Sequence, residues 1–144
     1  AIFCKGLIAA TSDLGYKTWD NRAITRTGAT GAAIGTGLAN TNAIISQLGA
    51  AGSYNYAAGV SANYSVNDGG VTYDDSFLPS KDELYKLYIN KAEIGGFTGT
   101  YYWSSTESSS TLAFPQAIHY GGQPNKLKNE SRPVRTVRTF STTP

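Results

Sequence analysis

The string Pro79-Ser80-Lys81-Asp82-Glu83 marks the start of a helix within five residues. Serine followed three residues later by glutamate is a capping box. The serine hydroxyl accepts from the N3 amide, and the glutamate carboxylate accepts from the N-cap amide. Pro79 fixes the entry, and Asp82 and Glu83 suit the positive end of the helix dipole. Leu84, Leu87 and Tyr88 recur at helical spacing as a buried stripe, so the helix runs on toward Gly95-Gly96. There the pattern switches. The stretches 100–105 (TYYWSS), 112–120 and 134–140 (VRTVRTF) are aromatic or β-branched and read as three strands joined by Gly- and Asn-rich loops. A capped helix followed by strands predicts an α+β domain, with about three helices and a small antiparallel sheet.

The first half supplies the other elements. Residues 2–11 read as an apolar strand, and 13–30 as a turn-rich segment around Trp19. A helix capped by Asn40 or Thr41 carries Ala43, Ile44, Ile45 and Leu48 and stops at Gly49 or Gly52. A second, within 54–64, packs closely through Ala57, Ala58 and Val60. Residues 66–77 read as a loop turning on Asn67-Asp68-Gly69-Gly70. In the last strand, period-two alternation separates Arg135 from Arg138, so at least one points inward or toward the sheet edge.

A chain of 144 residues fits one domain, 1–144. Charged residues are 15%, against a usual share of about 25%, so Ser, Thr, Asn, Gln and ten tyrosines must supply the polar surface. Such a surface suits recognition by adaptable hydrogen bonds and rigid aromatic contacts. A net charge of +2 is too small to imply a nucleic-acid partner. No apolar run approaches the roughly 20 residues of a spanning helix, so membrane insertion is not expected. The abrupt opening at Ala1, without a signal peptide, reads as a fragment of a longer surface protein.

The residues give little support to catalysis. Cys4 is the one cysteine, which excludes an intramolecular disulfide and cysteine-based zinc sites. His119 is the one histidine, read as a partly exposed hydrogen-bonding residue; neither has a motif that would pair them as nucleophile and base. The serines of 104–110 lack a G-x-S-x-G elbow. Asp74, Asp75 and Glu107 show no spacing that selects a glycosidase pair. Gly28, Gly31, Gly35 and Gly37 match no phosphate-loop spacing, and the Asp/Asn-rich 67–75 stretch departs from the EF-hand pattern. The expectation is a non-enzyme without metal or cofactor.

Several strings together, FLPSKDELYKLYINKAEIGGF (77–97), YYWSSTE (101–107), Phe114-Pro115-Gln116 and VRTVRTF, resemble a family of exported bacterial domains that includes the C-terminal domain of the Legionella collagen-like adhesin. GLIAAT (6–11), 27–45 and YAAG (56–59) extend the similarity over nearly the whole chain. Departures are the missing cysteine after YAA and Phe114-Pro115 in place of the usual aromatic pattern. The resemblance implies a fold related to C-type-lectin-like and formylglycine-generating-enzyme-like domains, with Trp103, Ser104 and Glu107 as a buried anchor. It also implies an extracellular or cell-surface location, attachment to sulfated glycosaminoglycans such as heparin, bacterial clumping, and a homotrimer. Sulfated chains are gripped by Lys and Arg, with amides filling in hydrogen bonds. The loop holding Gln123, Asn125, Lys126, Lys128, Asn129 and Arg132 has that composition. Two other readings stay open: a neutral glycan or protein receptor met by Tyr101, Tyr102 and Tyr120, or a cap that registers a trimeric stalk.

Overall fold

Strand β5 (Tyr101–Glu107) organises the molecule because both of its faces are buried. In the computed structural model, which describes residues 4–20, 26–49 and 55–142 (side chains from 6 to 140), residues 102–107 of this strand are all buried. Alternation along it sends Trp103 and Tyr102 to opposite sides. Trp103 joins a core of Trp19, Ile44, Tyr56, Leu78 and Val134. Tyr102 joins a second core of Phe77, Leu84, Leu87, Ile118 and Val137.

The frame is α+β, built from four small antiparallel sheets and four helices among the described residues. Strand β1 (Cys4–Ala9) pairs with β9 (Val137–Thr142), which brings the two ends of the described chain together. Strand β2 (Tyr16–Lys17) pairs with β8 (Arg132–Pro133), setting Lys17 opposite Arg132. The largest sheet runs β5-β6-β7, with β6 at Leu112–Ala117 and β7 at Lys126–Leu127. Its register breaks between Trp103 and Glu107. There the β5 amides of Ser105 and Glu107 donate to Pro79 and Ala29 carbonyls instead, at 2.8 Å each.

Helix α3 (Lys81–Ile89) has the expected capping box, with Leu84 and Leu87 buried and Tyr88 half-buried. It stops earlier than read from sequence. Asn90 caps it, and a one-turn helix α4 (Lys91–Ile94) leads to Gly95 and Gly96, both at positive φ. Glu83 does more than cap: its other carboxylate oxygen accepts from Gly35 at 3.0 Å, tying the glycine-rich loop to α3.

Helix α1 (Gly37–Leu48) begins before the predicted cap. Asn40 and Thr41 lie inside it because their polar groups serve other segments. The Asn40 amide clasps Gly31 and donates to Ser105, and Thr41 bonds Leu78. Helix α2 (Ala57–Ala62) packs as expected through Ala57 and Ala58. The stretch read as a loop is a hairpin, β3 (Val66–Asp68) and β4 (Val71–Tyr73). Its two turn residues, Gly69 and Gly70, both have positive φ, as a tight twisted hairpin requires. Arg135 is the inward arginine: it is fully buried and ion-paired to Asp13 at 2.8 Å. Arg138 lies on the outer side, over the Tyr73 ring at 3.7 Å. No described helix is long and apolar enough to cross a membrane.

Candidate functional site

The predicted basic loop divides into an inward and an outward part. Lys128 goes inward. Its side chain is 2% exposed, and its amine meets Glu107 Oε2 at 3.1 Å and the Trp19 ring at 4.4 Å. The Trp19 amide donates to the Lys128 carbonyl, and the Lys128 amide donates to Thr111, both at 2.9 Å, so the residue is stitched into the core. Lys128 is therefore corrected from a ligand-facing residue to a buried structural cation. Gln123 is also committed, since its amide nitrogen donates to Lys81 O and Gln116 Oε1, each at 2.7 Å.

Asn125 and Asn129 are exposed and Lys126 is half-buried, whereas the Arg132 side chain reaches the surface with only 17% of its area exposed. The cations converge on one ring. Lys126 Nζ lies 5.2 Å and the Arg132 guanidinium 5.1 Å from the centroid of Tyr101, at the start of β5. Both fall within the reach of a cation–π attraction. Arg132 is also paired with Glu130 and stands 5.8 Å from the Trp103 ring. Its buried Nε has no hydrogen-bond partner among the described residues. Lys17 joins from the other end of the sequence, opposite Arg132 in register, with its amine on Asn55 at 2.8 Å. Only long-range pairing brings it here, so no local signal in the sequence pointed to it.

The aromatic candidates also divide. Tyr102 is fully buried; its hydroxyl donates to Asp13 at 2.7 Å and accepts from the Thr98 and Gly99 amides. Burial, with the hydrogen bond to Asp13 and its charge, pushes this phenol up to about 12. Tyr102 is thus corrected from a surface contact to a core residue. Tyr120 is 55% exposed, and its hydroxyl meets that of Tyr101 at 2.9 Å.

Trp103, Ser104 and Glu107 form the buried anchor expected of them. Burial on its own would raise the Glu107 carboxyl. Donation from the Thr27 amide and hydroxyl, from Lys128 and from the Gly28 amide outweighs it, and the carboxyl sits below its ordinary value. Trp19 lies in the core with its indole nitrogen donating to Ser104 O at 2.8 Å. His119 is exposed, as are Asp74 and Asp75, whereas Glu107 is buried away from them. Among the described residues no group of three or more His, Cys, Asp or Glu is placed to hold a metal ion. The Cys4 side chain lies outside the described residues.

What the surface offers is two cations held against an aromatic ring, flanked by exposed amides and one acid. That arrangement suits fixed anionic groups on a ligand. Compared with known proteins, the chain matches no family model and no curated sequence.

Proposed function

We propose that this domain is a non-catalytic recognition module that binds a sulfated or otherwise polyanionic polysaccharide, of which heparin is the type. The contact surface consists of Lys126, Arg132, Asn125 and Asn129 around Tyr101. The observation that carries this reading is the convergence of Lys126 and Arg132 on the Tyr101 ring, which holds two long cationic side chains in place before a ligand arrives. Preorganised cations lose less rotamer entropy on binding. Sequence resemblance to the adhesin domain supports the same ligand class, and the α+β frame is compatible with a C-type-lectin-like or formylglycine-generating-enzyme-like fold. On this reading the domain acts at the bacterial surface as the end of a longer adhesin. It is trimeric, so three modest patches act together and avidity exceeds single-site affinity by orders of magnitude.

Heparin-affinity chromatography at low and near-physiological salt, with light scattering for mass, tests it. The wild type is retained at low salt as a trimer and released as salt rises, because screening weakens exposed charge contacts. Lys126→Ser with Arg132→Gln removes retention and leaves the melting temperature within a few degrees. No retention at low salt, or full retention by the double variant, overturns the assignment. The exposure of Tyr120 favours one alternative, a neutral glycan contact. That reading predicts binding on a glycan array that does not change with salt.

A further inference from the structure

The basic cluster is one end of a longer feature. Helix α3 places Tyr85, 41% exposed, beside Tyr88, with ring centroids 5.7 Å apart. Gly121 lies against both rings: a Cβ built there would come within 3.0 Å of Tyr88 and 3.4 Å of Tyr85. The neighbouring Gly122 lies closer still to the Tyr120 ring. Tyr120 in turn bonds Tyr101, edge to face, with centroids 6.4 Å apart. Two tyrosine pairs thus flank Gly121 and Gly122 as a strip, with glycines at the positions where a side chain would meet the rings. The ends are cationic. Lys126 and Arg132 sit over Tyr101, and Lys91 stands 4.9 Å from the Tyr88 ring while donating to Ile118 O at 2.7 Å.

From this order we infer that the strip is an extended subsite for a linear anionic glycan. Sugar rings lie on the two exposed tyrosines of the strip, Tyr120 and Tyr85. Sulfate or carboxylate groups reach Arg132 and Lys126 at one end and Lys91 at the other. Aromatic faces suit the C–H-rich faces of pyranose rings, and the flanking cations suit the charges that such rings carry. The strip therefore selects a charged polysaccharide over a polyanion without sugar rings. This inference rests on the polyanion reading above and names its chain-length and backbone requirement.

Calorimetry with heparin-derived tetrasaccharide and decasaccharide, and with polyphosphate as the ring-free anion, separates the two ideas. The wild type binds the decasaccharide about tenfold more tightly than the tetrasaccharide. Tyr85→Ala, at an exposed helix position that alanine suits, removes about fivefold of that advantage. It leaves tetrasaccharide and polyphosphate binding unchanged. Gly121→Val, which covers the rings without altering charge, does the same. Equal decasaccharide affinity in wild type and Tyr85→Ala overturns the strip. If Lys126→Ser with Arg132→Gln still abolishes binding in that case, the basic site stands alone. Absence of any binding by the wild type removes both. Circular dichroism melts confirm folding, and Tyr85→Ala decides the matter if Gly121→Val is unstable.

Discussion

Replacing Lys128 with methionine separates a structural cation from a ligand contact. The amine is buried with Glu107 at 3.1 Å and stacked at 4.4 Å on Trp19. Removing one partner of a buried ion pair strands the other charge, at a cost of about 3–5 kcal/mol. Here Glu107 keeps its bonds from the Thr27 amide and hydroxyl and from Gly28, which places the loss at the lower end of that range. The lost cation–π contact adds about 1 kcal/mol, and the methionine thioether against the indole returns much of it. The net loss is about 3 kcal/mol, or a fall in melting temperature of about 10 °C at this chain length. Urea unfolding followed by tryptophan fluorescence reads it directly, with an unchanged m-value showing that the end states are the same. Adding Glu107→Gln to Lys128→Met costs less than the sum of the two single losses, because the carboxylate is then no longer left unpaired. A loss below about 1 kcal/mol refutes the reasoning. So does a variant of normal stability that no longer binds heparin, since that outcome makes Lys128 a ligand contact.

Two buried groups, in separate hydrogen-bond networks, make stability depend on pH. The Glu107 carboxyl lies below its ordinary value of 4.5 in the folded state. Its contribution is complete above that value and is lost as pH falls through the lowered one, so Glu107→Gln should flatten the acid limb of a stability-against-pH curve. Tyr102 runs the other way: its phenol is raised from 10.0 to about 12. The stability it adds is whole below pH 10 and disappears as pH climbs toward 12, on the order of 2 kcal/mol. Alkaline urea titrations of wild type and Tyr102→Phe should differ in slope over that interval, and parallel curves would exclude the effect.

What the sequence made legible depended on how local the cause was. The capping box at Ser80 and Glu83 is written within four residues, and α3 starts where it says. The double-glycine turn is equally local, but the strands it joins are only three residues each, too short for alternation to register, so they read as loop. Asn40 and Thr41 look like caps because both side chains can cap a helix. Their actual partners, Gly31, Ser105 and Leu78, come from other elements, and no spacing rule anticipates them.

The basic loop shows the same limit at the site itself. Lys126 and Lys128 stand two apart, which in a strand places them on one face. Strand β7, however, ends at Leu127. The next residue passes between Trp19 and Thr111, with its amine beside Glu107, and those three partners come from distant positions in the chain. Burial of Lys128 also changes the electrostatic argument. The pairs Lys128–Glu107 and Arg135–Asp13 each cancel inside the protein and contribute little to the field outside. The attraction available to a polyanion then rests on local asymmetry, with Lys17, Lys126 and Arg132 set against the Glu130 that pairs with Arg132. A site with so small an excess gains selectivity less from charge number than from the aromatic surface between its cations. For that reason the tyrosine substitutions are a sharper test of what this domain recognises than removing further charge.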